Sequence, residues 1–123
     1  MESEIGLAAE TYGLPVVEEV DAILSDRSVD AVMLLTPPNT HLDLVRRAAA
    51  AGKHILLEKP LEVSPGRAEE LVAAAEEAGV TLGVVLQHRF RPVSVKLADM
   101  VRQGRLGTIV GASARLYNWR PQS

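Results

Sequence analysis

The sequence predicts an α/β fold built on a parallel sheet, and three observations carry that expectation. Three runs, residues 30–36, 54–57 and 80–86, lack the regular apolar–polar alternation of a half-wet strand. Each is followed by a stretch whose apolar residues recur at helical spacing. Between strand and helix in every case lies a short turn rich in proline and polar side chains. Repeats of this kind require helices against both faces of a parallel sheet, as in an incomplete, doubly wound Rossmann-like fold.

The first repeat runs from Asp30-Ala31-Val32-Met33-Leu34-Leu35-Thr36 through Pro37-Pro38-Asn39 into a helix over residues 40–51. Thr40 is its expected cap, Leu42, Val45 and Ala49 its inner face, and Gly52 its stop. The second runs from His54-Ile55-Leu56-Leu57 through Glu58-Lys59-Pro60 into a helix that starts at Ser64-Pro65 and ends at Gly79. Its inner face is Ala68, Leu71, Val72 and Ala75. In the third, residues 80–86 lead through Gln87-His88-Arg89-Phe90 to a helix over residues 92–103, with Val93, Leu97, Met100 and Val101 inward.

The ends read differently. Residues 1–12 have helical spacing, stopped by Gly13 and Pro15, residues 16–18 suit a short strand, and residues 20–25 a short helix carrying Ile23 and Leu24. From residue 109 to 119 the period becomes two, with Val110, Ala112, Ala114 and Leu116 on one face, as in an antiparallel strand with one wet face. The change near Gly107 predicts a division into residues 1–106 and the beginning of a second, α+β domain over residues 107–123.

Composition narrows the function classes. Of 123 residues, 47% are hydrophobic and 24% charged, the usage of an ordinary globular domain. A formal charge of −3 and four aromatic residues leave neither the basic footprint nor the stacking platforms of a nucleic-acid binder. With no cysteine there is no disulfide framework, thiolate zinc site or cysteine nucleophile. Three histidines on separate segments lack metal-ligand spacing, so no metal is expected. The acidic start is unlike a secretory leader and no apolar run approaches the ~20 residues of a membrane helix. The expected compartment is the cytoplasm.

Ligands of open parallel sheets bind beyond the carboxyl ends of the strands. The turns there hold Thr36, Pro37, Asn39 and His41, then Glu58, Lys59 and Pro60, then His88 and Arg89. Lys59 is the sharpest candidate. A lysine stripped of some hydration at a strand end suits proton transfer to or from a hydroxyl, whereas a solvated Lys59 would simply pair with Glu58. His41, in the first turn of a helix, suits either a donor to phosphate or ribose or a ring packed against the turn. His54 opens its strand at the opposite edge and reads as structural. Arg89 and Arg91 are either contacts for an anion or a solvated basic patch.

Three blocks together resemble the glucose-fructose oxidoreductase/inositol dehydrogenase (Gfo/Idh/MocA) family. They are Thr36-Pro37-Pro38-Asn39-Thr40-His41, the run Ala51-Gly52-Lys53-His54-Ile55-Leu56-Leu57-Glu58-Lys59-Pro60-Leu61, and His88-Arg89-Phe90. Gly104-Arg105-Leu106-Gly107 before a strand resembles that family's passage into its second domain. The resemblance implies an oxidoreductase using NAD or NADP, by hydride transfer, on a sugar, cyclitol or related polyol. It implies that Lys59 lies beside nicotinamide and the reacting hydroxyl, that Thr36, Pro37, Asn39 and His41 line the dinucleotide, and that Glu58 sits near the nicotinamide ribose. Pro60 follows an expected cis bond. His88 and Arg89 would approach cofactor and substrate, and Trp119-Arg120 would border the site.

The same resemblance exposes departures. The turn G-x-G-x-x-G that receives the pyrophosphate does not occur in this sequence. The expectation is therefore a middle fragment, lacking the first strand, glycine turn, first helix and second strand, and most of the substrate domain. An apolar strand over residues 31–36 left at a sheet edge invites pairing with another chain, so a homo-oligomer is expected. The alternative is a noncatalytic nucleotide-binding or regulatory module, or an inactive remnant.

Overall fold

The computed structural model describes residues 11–13, 15–115 and 117. The chain divides into two compact units, Met1–Leu86 and Gln87–Ser123.

In the first unit, helix α1 (Val20–Ser25) is followed by strand β1 (Ala31–Leu34), a 3-10 turn (Pro38–Thr40) and helix α2 (His41–Ala50). Strand β2 (His54–Leu57), helix α3 (Pro65–Glu77) and strand β3 (Leu82–Val84) complete it. The strands form a parallel sheet in the order β1-β2-β3, in register Val32–Ile55–Leu82, Met33–Leu56–Gly83 and Leu34–Leu57–Val84. The expected α/β architecture is present. β1 and β3 are shorter than their apolar runs because a strand lasts only as long as its ladder, and β2 pairs through four residues with β1 and three with β3.

The core forms on one face of this sheet. Ile55 and Leu57 are buried against Leu42, Val45, Ala48 and Ala49 of α2 and Leu71 of α3, with Val32, Leu34 and Leu82 packed beside them. Leu24 of α1 joins the same cluster. The opposite side, where helices were also expected, is open within this unit: Met33 is 58% exposed and Leu56 is exposed as well. Alternation along a strand sends successive side chains to opposite faces, and among the described residues of this unit the helices cover only one of them.

Gly52 and Gly79 follow α2 and α3 with φ of +71° and +67°, the left-handed closure expected of them. The N-termini depart from expectation. Neither Thr40 nor Ser64 makes a side-chain cap. Thr40 is already within the 3-10 turn, where its hydroxyl donates to the Pro37 carbonyl at 2.8 Å and lies 2.8 Å from the Thr36 hydroxyl. Residues 16–18 form no strand; Val16 and Val17 are exposed and join no ladder. The helix read over residues 1–12 falls almost wholly outside the described residues.

The second unit holds a 3-10 turn (Gln87–Phe90) and helix α4 (Pro92–Arg102). The helix forms where expected, started by Pro92, but has no buried residue. Val93, Leu97 and Val101, expected inward, are exposed, and Met100 is half-buried. Its Leu97 and Val101 share a shallow hollow with residues 106–112. The strand expected over residues 109–119 is absent among the described residues, and Val110 is 98% exposed. Period-two sequence makes a strand only when a neighbour accepts its hydrogen bonds. No helix of the described residues is long and apolar enough to cross a membrane.

Candidate functional site

Parallel pairing brings the first two turns to one edge. The Glu58 amide donates to the Leu34 carbonyl at 2.9 Å, so the second turn starts beside the end of β1. The Val85 amide donates to the Leu57 carbonyl at 2.8 Å and ties in the end of β3. Thr36, Pro37 and Asn39 are exposed along this edge, Glu58 is half-buried, and Lys59 and Pro60 are exposed. The Lys59–Pro60 peptide is cis, as the resemblance implied.

Lys59 carries its charge into solvent rather than into a dry strand end. Its side chain is 52% exposed, and its Nζ lies 3.8 Å from Glu58 Oε1. A contact this long between an exposed ammonium and a half-buried carboxylate holds neither side chain firmly. The ammonium is therefore able to reach a ligand laid across the edge, while Glu58 offers carboxylate oxygens next to it.

His41 is placed otherwise. The ring is completely buried, with Nε2 3.0 Å from the Thr36 carbonyl and Nδ1 3.2 Å from the Leu61 carbonyl. Both partners are acceptors and a neutral imidazole has one N–H, so the ring donates to one turn and packs against the carbonyl of the other from inside. Of the two uses open to it, the structure displays the packed one.

Two residues not singled out in the sequence sit beneath this edge. The Glu62 side chain is fully buried; its carboxylate accepts from Arg67 Nη2 at 2.8 Å, from the Leu42 amide at 3.3 Å and from the Val63 amide. The same Arg67 Nη2 donates to the Asn39 carbonyl at 3.1 Å. The Arg67 hydrogen bond, supported by the two amides, overcomes burial and holds the Glu62 carboxyl down from the usual 4.5 to about 2. Arg67 is shifted up in turn, chiefly by its bond to Glu62. Nothing in a linear sequence separates a buried Glu or Arg from a solvated one, because only the tertiary fold brings residues 39, 42, 62 and 67 together.

At the other end of the sheet, Lys53 is buried and its Nζ donates to the carbonyls of Asp26 and Val29, both at 2.7 Å. Asp26 is held low by the backbone and hydroxyl of Ser28, with a smaller contribution from Lys53. His54 Nδ1 accepts from the Thr81 amide at 3.0 Å, the structural use expected of it. In the second unit, His88 and Arg89 are exposed on the Gln87–Phe90 turn. Trp119 and Arg120 lie outside the described residues. Among the described residues, no three His, Cys, Asp or Glu side chains gather to hold a metal.

Comparison with known proteins agrees with this geometry. A family model described as an oxidoreductase family with an NAD-binding Rossmann fold matches residues 2–86. The D-xylose 1-dehydrogenase (NADP(+)) 2 of Haloferax volcanii is 35% identical over 114 residues, covering 92% of this chain and 35% of that protein. The crystal structure of a probable dehydrogenase from Thermotoga maritima superposes with a TM-score of 0.82 at 29% identity, over 87% of this chain and 33% of the other. The WlbA dehydrogenase of Bordetella pertussis, in complex with NADH and UDP-GlcNAcA, gives a TM-score of 0.77 at 30% identity, over 87% and 31%. The chain thus spans about a third of the length of these relatives.

Proposed function

Because the chain belongs to the Gfo/Idh/MocA family of oxidoreductases, whose module here is an NAD-binding Rossmann fold, we propose that it forms the nicotinamide side of an NAD(P)-dependent dehydrogenase acting on a sugar, cyclitol or related polyol. One observation carries this reading: an exposed row of hydroxyl, amide, carboxylate and ammonium groups along the carboxyl edge of a parallel sheet, where such sheets bind nucleotides. The similarity to a D-xylose dehydrogenase and to a dehydrogenase holding a nucleotide sugar supports the substrate class.

The residues present fit the ribose and nicotinamide end of a dinucleotide. Glu58 offers acceptors for ribose hydroxyls; Thr36, Pro37 and Asn39 flank it, and Pro60 turns the chain away. When bound, the dinucleotide supplies the two-electron redox partner. Lys59 Nζ hydrogen-bonds the reacting hydroxyl, taking its proton as the neutral amine or returning it as the ammonium, with the Glu58 carboxylate beside it. We assign His41 to the scaffold of this site, and His88, Arg89, Trp119 and Arg120 to contacts with substrate or cofactor. Residues 1–106 form the dinucleotide domain and 107–123 the start of the substrate domain. Among the described residues β1 stands at the sheet edge, beside an apolar groove including Val20, Ile23, Met33 and Leu35, and on that ground we infer a homo-oligomer; the compartment we infer is the cytoplasm.

Titration of the chain with NADH and NADPH, following energy transfer from Trp119, its single tryptophan, tests the reading. Saturating transfer reversed by the oxidised dinucleotide supports it; a folded chain showing no transfer refutes cofactor binding by this chain. In a turnover-competent protein containing this chain, Lys59→Ala should abolish turnover and spare dinucleotide affinity, and unchanged turnover would reject the proton-transfer role. Sedimentation as a monomer would remove the oligomer.

A further inference from the structure

Helix α2 begins directly after the Pro38–Thr40 turn, and its first amides have no partner within the helix. No capping side chain comes from Thr40. The Leu42 amide is instead met from another loop by the buried Glu62 carboxylate, which also brings negative charge to the positive end of the helix. Arg67, in the first turn of α3, completes the arrangement, because one of its nitrogens reaches both Glu62 and the Asn39 carbonyl. Two turns that pairing only brings near each other are thus laced together by one carboxylate and one guanidinium.

We propose that Glu62 and Arg67 are positioning residues for the dinucleotide: they hold the Thr36–Asn39 turn in its ligand-facing shape without touching the ligand. This rests on the reading of that edge as a dinucleotide site. The pair sits behind the exposed edge: Glu62 has no exposed side-chain surface and accepts from the Leu42 amide just past the turn and from the Val63 amide of its own loop, while Arg67 donates to the Asn39 carbonyl within the turn. A second ion pair provides an internal control. Arg46 and Glu70 join the same two helices at 2.6 Å, but both are about half exposed and neither bonds the turn. A role limited to tethering α2 to α3 would belong to both pairs; a positioning role belongs to Glu62 and Arg67 alone.

The test measures NADH and NADPH affinity of the full chain by isothermal titration calorimetry for Glu62→Gln, Arg67→Met, their combination and Arg46→Met. Circular dichroism confirms folding, and amide exchange reads residues 36–42. Each single variant should weaken binding about tenfold, as expected for a lost charge-assisted bond. Their combination should be no weaker than either, and exchange in residues 36–42 should accelerate while Ile55 and Leu57 stay protected. Arg46→Met should bind as the parent does. Glu62→Gln is isosteric, and should it fail to fold, Arg67→Met carries the same reading. Parent-like affinity in folded variants overturns the proposal, as does an equal loss in Arg46→Met. A parent chain that binds neither dinucleotide defeats the reading of the edge and this inference with it, a different result from a binding parent with unaffected variants.

Discussion

The two units of the molecule carry similar amphipathic helices and treat them in opposite ways. Every buried residue among those described lies in the first unit, between Leu24 and Ala75. In the second unit α4 bears apolar residues at helical spacing yet buries none of them. The difference is one of neighbours. Helices α2 and α3 lie against a ladder of three strands whose inner rows present Val32, Ile55, Leu82, Leu34 and Leu57. Among the described residues of its own unit, α4 has beside it the Gln87–Phe90 turn and the segment around residues 106–112, and neither covers its apolar face. Amphipathic spacing marks which face a helix can bury; a facing surface decides whether it does.

Core truncation should separate the units most sharply. Leu71→Ala removes a fully buried side chain and should cost about 2–5 kcal/mol. Leu97→Ala on exposed α4 should cost less than about 1 kcal/mol. Urea denaturation of both variants checks this, and equal losses would break the comparison. Lys53→Met comes next. It strips two carbonyls of their donor at the far end of the first unit and should cost about 1–3 kcal/mol, seen as a lower urea midpoint; an unshifted midpoint would mean that water serves those carbonyls equally well.

The third prediction concerns pH. Glu62 titrates near 2 in the folded chain against the usual 4.5, so its stabilisation is complete above pH 4.5 and disappears as pH falls from there towards 2. Thermal melts between pH 6 and 3 should show a fall in the parent that flattens in Glu62→Gln; parallel curves would remove Glu62 from the linkage. Smallest of all, Val93→Ser should change stability by no more than about 0.5 kcal/mol, because that side chain is exposed. A larger loss in the melt would show that α4 has a covering surface in solution.

Much of the site edge was legible. The turns at Thr36-Pro37-Pro38-Asn39 and Glu58-Lys59-Pro60 follow apolar runs, and parallel pairing carries them to one edge wherever the repeat is read correctly. Their support was not. Glu62 and Arg67 look like ordinary surface charges, and their engagement arises from contacts between residues twenty or more positions apart, Glu62 with the Leu42 amide and Arg67 with the Asn39 carbonyl. His41 was visible as a polar residue in the right turn, but its engagement by carbonyls 5 residues before it and 20 after it depends on the fold.

By itself the sequence determined the parallel α/β repeat, the starts of α3 and α4 at Pro65 and Pro92, the glycine stops, and which polar residues stand at the carboxyl edge. These follow from local backbone preferences and hydrophobic period, which act over a few residues. Tertiary structure decided which helices find a surface to cover, whether residues 16–18 and 109–115 become strands, and which charges are enclosed. Burial and ladder hydrogen bonds need partners distant in the chain, and no local pattern contains the partner.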